Sequence, residues 1–137
     1  MGFQAYRLRN PNDVSYSEIL EFRYTHYNSG NYNTTTGMFT CSVPGLYYFS
    51  GTLSALGTSS DPEIVSFAIT VEGSWKSYGY SYSDNGNSNY VTVHLVYHLS
   101  QGQRVWVQNN WDFGRYENTH INHFTGVLIS PDIIEDN

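Results

Sequence analysis

Four of the five histidines fall into two close pairs, His94 with His98 and His120 with His123. Alternate residues of an extended chain share a face, so on a strand His94 and His98 point the same way with Val96 between them. Imidazoles so placed could share a zinc ion. Yet no cysteine or carboxylate cluster stands beside them, which favours solvated or interface histidines over ligands. The one thiol, Cys41, sits in Thr40-Cys41-Ser42-Val43-Pro44 without a base or orienting partner in sequence. It reads as an inert buried side chain rather than a nucleophile. A single cysteine forms no disulfide within the chain, so cysteine usage does not decide the redox compartment. The sequence has no Gly-x-Ser-x-Gly elbow, no phosphate-binding glycine loop and no paired-carboxylate pattern. A non-enzymatic protein is expected.

Two aromatic groups suggest binding instead. Trp75, Tyr78, Tyr80 and Tyr82 are interleaved with Lys76, Ser77, Ser81 and Ser83, and Trp111, Phe113, Arg115 and Tyr116 form a second set near an expected loop. Aromatic faces stack on sugar rings or anchor protein partners, while Asn, Arg and Asp direct hydrogen bonds. The plainer reading is that alternate tyrosines cover the edge of a sheet, and the residues alone leave both open.

The elements that must carry these residues are short strands. Aromatic residues make up 17% of the chain and charged residues only 13%, so the Lys- and Glu-rich surface of a helical protein is missing. Apolar positions recur with a period of two. Leu20, Phe22 and Tyr24 form one alternating set, and Tyr47, Phe49, Gly51, Leu53 and Ala55 another. Further sets are Val65 to Val71, Val91 to Leu99, Val105 with Val107, and Phe124 to Leu128. Turn residues separate them at Gly57–Pro62, Ser83–Ser88, Ser100–Gly102 and Gly114–Asn118. Eight to ten strands in one domain of 137 residues must curl or split into two layers, and a jelly roll is the natural solution. Residues 1–2 and 133–137 read as flexible ends. Tyr48, Ile64, Ala68, Val96 and Trp106 put apolar groups on second faces of their strands. Such strands are covered either by an oligomer contact or only loosely, and the pattern leaves both open.

The net charge of −6 supplies no basic surface for phosphates, so nucleic acid is not an expected partner. No apolar stretch approaches the roughly 20 residues that cross a bilayer, and the first residues lack a signal peptide's apolar region. A soluble domain is expected, with a leader removed, the domain cut from a longer chain, or the chain made without a leader.

Several ordered motifs resemble one family. Phe3-Gln4-Ala5-Tyr6-Arg7 opens it, followed by Phe22, Asn28 and Tyr32, then Thr36-Gly37-Met38-Phe39-Thr40, Val43-Pro44-Gly45-Leu46-Tyr47-Tyr48-Phe49, Leu99 to Val107, and the closing Phe124-Thr125-Gly126-Val127-Leu128-Ile129. Together they cover nearly the whole chain and resemble globular C1q domains. The resemblance implies an all-β, ten-stranded jelly-roll sandwich of the C1q and tumour necrosis factor type, forming a homotrimer. It also implies extracellular, non-enzymatic recognition of a carbohydrate, a microbial surface or a protein ligand through apical loops. The alternative is a cytokine-like or scaffolding head that engages a protein receptor. With no Gly-X-Y repeat in the chain, an isolated head or short-form member is expected. Two departures stand out: the stretch between Asn28 and Tyr32 is one residue short, and Gly51 replaces an aromatic.

On the same resemblance, calcium is a candidate ligand but not a required cofactor, at Asp84, Asn87 and Asn89 in one loop and Asp112 in another. Only one carboxylate lies in each loop, whereas calcium takes six to eight oxygens, and Asn85-Gly86 also reads as a plain hairpin turn. Trp75, Tyr78, Tyr80, Trp111, Arg115 and Tyr116 are the candidate ligand-binding residues. Tyr48, His94, Val96, His98 and Trp106 are the candidate trimer interface, where histidines gathered at a three-fold axis would weaken the trimer on protonation.

Overall fold

A computed structural model of the chain describes residues 1–11, 14–55, 63–83, 89–117 and 119–133. Twelve strands follow in order: β1 Gly2–Leu8, β2 Val14–Ser15, β3 Phe22–Asn28, β4 Tyr32–Asn33, β5 Met38–Thr40, β6 Gly45–Ser54, β7 Glu63–Val71, β8 Ser74–Ser83, β9 Tyr90–Leu99, β10 Arg104–Asn109, β11 Phe113–Gly114 and β12 His123–Pro131. Ten of them make two five-stranded sheets, β3-β1-β12-β6-β9 and β4-β5-β10-β7-β8, and the two-residue strands β11 and β2 form a small extra ladder. Every pairing is antiparallel. The architecture is the ten-stranded jelly-roll sandwich the sequence implied, and the closing strand pairs directly with the first, Phe3 opposite Gly126.

The family motifs meet in one place. Phe3 stacks on Tyr32 with ring centroids 4.6 Å apart and meets Phe124 edge-on at 5.0 Å, while Phe39 packs against Tyr47 and Phe49. All six are buried between the sheets. Aromatic burial of this kind is the main force holding the layers together. Gly126 is required there, since a Cβ on it would stand 2.6 Å from the Phe3 ring and 2.7 Å from Phe49.

Both departures have a local explanation. Above Gly51 the space is filled from the facing sheet by Phe67, whose ring comes within 3.3 Å of where a Cβ would be. In the short β3–β4 turn, Asn28 Oδ1 accepts from the Gly30 and Tyr32 amides while its Nδ2 donates to the Tyr32 carbonyl. Gly30 takes a φ of 106°, which glycine adopts readily. The β7–β8 hairpin turns on Glu72-Gly73, both with positive φ, the twist-matched two-residue turn of a tight hairpin.

One alternating set breaks. Phe22 is buried but Tyr24 is exposed; the two keep one register with Leu8 and Tyr6, and the alternation breaks where Arg7, between those partners, takes a φ of 63°. Tyr24 lies instead against Tyr6 on the outside, ring centroids 5.6 Å apart.

Candidate functional site

Alternation gives each sheet an inner face in the core and an outer face that no other layer covers among the described residues. On the first sheet, β6 and β9 pair in full register, setting Tyr48 opposite Val96, Ser50 opposite His94 and Leu46 opposite His98. On the other side of β6, Val127 of β12 lies opposite Tyr48. A row Val127–Tyr48–Val96 thus crosses three strands. Val96 is 57% exposed, and Leu46, Val127 and Ile129 are exposed beside it. Met1, Tyr27, Val127 and the flanking backbone line a shallow apolar cleft of about 240 Å³ at the same end.

The histidines here are committed to neighbours. Tyr48 Oη and His94 Nδ1 are 2.7 Å apart, and His98 Nε2 lies 2.9 Å from Asp132 Oδ1. His123 Nδ1 is 2.8 Å from the Ile121 carbonyl. Of the five candidate interface residues, Tyr48, His94, Val96 and His98 therefore share one face. Trp106 does not join them. It lies on the outer face of the second sheet, is only 8% exposed and reaches to within 3.8 Å of the Cβ position of Gly73 in the β7–β8 turn. Its own chain already covers it.

The outer face of the second sheet is built differently. Along the edge strand β8, Tyr82 lies opposite Ile64, Tyr80 opposite Ser66, Tyr78 opposite Ala68 and Trp75 opposite Thr70, with Lys76 displaced by a register shift. Tyr78 and Tyr80 are 70% and 59% exposed, and Trp75 and Tyr82 are also open. Trp75 and Tyr78 touch with ring centroids 6.2 Å apart. Ala68 and Thr70 face outward yet are wholly buried, so the small side chains of β7 form a closed floor between large neighbours on β8 and β10. Gln108 lies opposite Ala68 on the far side. Its Oε1 accepts from the Trp106 indole, and Asn110 Oδ1 accepts the Ser66 hydroxyl.

Residues 2–129, the stretch that carries this sandwich, match the C1q domain family. The chain belongs to the C1q domain family. It is 30% identical over 131 residues to a complement C1q subcomponent of Bos taurus, covering 93% of this chain and 52% of that protein. It is 28% identical over 121 residues to the collagen alpha-1(X) chain of Mus musculus, covering 86% of this chain and 16% of that one. The chain thus spans about half, and less than a fifth, of these relatives. Among solved structures, the globular domain of the zebrafish complement 1qA protein superposes with a TM-score of 0.73 at 22% identity, covering 96% of this chain and 98% of the other.

Within this C1q domain the second aromatic group separates. Trp111 is exposed and Asp112 lies beside it in the loop after β10, while Arg115 is half-buried. Tyr116 cannot touch a ligand from outside. It is 0% exposed, its hydroxyl donates to Asn109 Oδ1 at 2.7 Å, and burial pushes its ionisation well above the usual phenol range. Its place is structural, because Asn109 Nδ2 donates to the Ser15 and Trp111 carbonyls and so ties β10 to β2 and to the loop.

Asp84 and Asn87 lie outside the described residues, as does the Asn85-Gly86 turn. Asn89 is described: its Nδ2 donates to Ser81 Oγ, and its Oδ1 is buried with no hydrogen-bond partner among the described residues. That is one free oxygen where calcium needs six to eight. Among the described residues no group of three or more His, Cys, Asp and Glu side chains is placed to hold a metal ion. Cys41 is buried, its Sγ 3.3 Å from the Val43 carbonyl, and burial raises its thiol pKa, opposing thiolate formation.

Sequence reasoning missed Val127, Ile129 and Leu46 on the first face. Their parity, opposite to Phe124, Gly126 and Leu128 in β12 and to Tyr47 in β6, was the available signal. What alternation does not reveal is which strands become neighbours, and so which outward residues form one surface.

Proposed function

We propose that this C1q domain is a secreted, non-enzymatic recognition head that assembles as a homotrimer through the outer face of its first sheet and binds its ligand on the aromatic outer face of its second. The observation that carries the ligand half is the run Trp75, Tyr78, Tyr80 and Tyr82, exposed side by side on one strand. Rings held on a rigid strand present stacking area with little entropy left to lose on binding. The assembly half rests on the Val127–Tyr48–Val96 row and the cleft beside it, since contiguous exposed apolar surface marks an interaction site. Recognition in this proposal needs no metal.

Ligand binding is tested by screening the protein on arrayed glycans and against candidate protein receptors, with Trp75→Ala and Tyr78→Ala as paired controls. Glycan binding competed by free sugar and weakened by both substitutions supports the reading. Failure on every glycan, together with tight binding to one protein through other residues, would instead make it a receptor-engaging head. Chelation with EDTA is expected to leave binding unchanged, and a loss restored by calcium would show that a metal is needed.

A further inference from the structure

Resting on the aromatic-face reading above, we infer that β8 takes an uncharged, extended chain of pyranose rings, equatorially linked, and selects against anionic glycans. Charge decides the class. The chain has six Lys and Arg residues in all. Arg9 is paired with Glu21 and Arg104 with Glu72. Arg23 lies over the Tyr24 ring on the first sheet, and Lys76 over Tyr97. Arg7 belongs to β1 and Arg115 follows β11. Among the described residues of β7, β8 and β10, which make the aromatic face, no cation therefore stands unengaged: Lys76 is turned to Tyr97 and Arg104 is paired with Glu72. Its lower end carries only the Glu72–Arg104 pair, closed at 3.0 Å. A uronate, sulfate or phosphate laid there would lose hydration without gaining an opposite charge, and the net charge of −6 opposes its approach.

Shape decides the form. From Trp75 to Tyr82 the strand runs about 23 Å, long enough for several sugar rings, and its row of outward rings suits the extended ribbon that equatorial linkages give. The floor at Ala68 and Thr70 is closed, so it offers no hole for the protruding anchor residue on which protein interfaces depend. Flat rings suit the flat C–H faces of sugars. Neutral donors flank them: the amide nitrogens of Gln108 and Asn110 have no partner among the described residues, because each amide oxygen is the atom engaged. Such groups satisfy sugar hydroxyls without a charge.

The test is titration calorimetry with neutral β-linked gluco-oligosaccharides from disaccharide to hexasaccharide and with uronate analogues of the same lengths. The wild-type, Tyr78→Ala, Tyr80→Ala and Tyr78→Phe chains are compared, each with its mass checked by light scattering. Affinity for the neutral series is expected to rise with length and then level off, with little response to salt. Each alanine change should cost about tenfold, Tyr78→Phe much less, and the uronates should bind more weakly at every length. Tighter, salt-sensitive binding of the uronates that still requires Tyr78 and Tyr80 would overturn the neutral class while leaving the aromatic-face reading intact. Glycan binding indifferent to both tyrosines would sink that reading itself. Loss of the trimer in a folded Tyr78→Ala or Tyr80→Ala chain would assign the face to assembly and overturn both.

Discussion

The two outer faces are produced by the same alternation and yet differ in kind. On the first sheet the outward row crosses three strands and mixes aliphatic side chains with a tyrosine and histidines that already have partners. On the second, the outward groups are aromatic, sit along one edge strand and rest on a closed floor of small residues. A broad, mostly aliphatic patch gains most when water leaves it for good, as in a subunit contact. A ladder of rings with unsatisfied amides beside it can give its contacts up again, as a ligand site must. The lesson is that the number of exposed apolar groups says less than how many strands they span and what lies between them.

The largest effect should come from breaking what both faces share. Phe124→Ala opens a cavity where the Phe3 and Phe49 rings meet, and a loss of about 3–5 kcal/mol is expected. Urea unfolding measures it, and assembly and ligand binding should fall together. Gly126→Val should be comparably damaging for the opposite reason, since its Cβ has no room.

Next in size is a change that separates the faces. Val127→Asp places a carboxylate in the centre of the first face, opposite Tyr48, and burying it in a subunit contact would cost several kcal/mol. Light scattering should then give the 15.6 kDa chain mass in place of about three times that value, with the fold kept by circular dichroism. The intrinsic affinity of each aromatic face should remain, and only its multivalent enhancement on a surface should be lost. A wild-type chain that is already monomeric would end the assembly argument outright.

Much of this arrangement was legible in the sequence. Inward positions such as Tyr47, Phe49, Val65 and Phe67 follow from alternation, and the motif order implied the jelly roll. The clustering of Tyr48, His94, Val96 and His98 was also readable, as they share one parity on strands that became neighbours. Trp106 and Tyr116 were not. Trp106 shares the outward parity but lies in the other layer, and its burial depends on a cross-strand reach to Gly73 that no local pattern encodes. Tyr116 follows a turn-rich stretch and looks like a loop aromatic; only the distant Asn109 amide explains why it points inward. Tyr24 was misread because the left-handed residue Arg7 on the partner strand breaks the alternation between Leu8 and Tyr6, opposite Phe22 and Tyr24.

Tyr116→Phe tests that reassignment. Removing the hydroxyl leaves Asn109 Oδ1 buried without its donor, so a stability loss of about 1–3 kcal/mol is expected. Glycan affinity at β8 should be unchanged once the chain is folded. A loss of affinity without a loss of stability would return Tyr116 to the binding site.

The smallest effect concerns the Glu72–Arg104 pair beside the aromatic face. Glu72 is held below its ordinary carboxylate value of 4.5, first by the Arg104 side chain and then by the Arg104 backbone amide. Its folded value lies below its unfolded one. The stabilisation is therefore complete above the ordinary value and is lost as pH falls through the lowered folded value. Both groups are solvent-screened, so it is expected to be small. Glu72→Gln keeps an amide oxygen for the Arg104 N–H and removes only the charge. The difference between wild-type and variant unfolding curves should be small and constant near neutrality and should vanish in acid. The same substitution frees Arg104 at the end of β8, so uronate chains should gain slightly on the neutral series. An equal gain for both would mean that charge does not set the selectivity of this face.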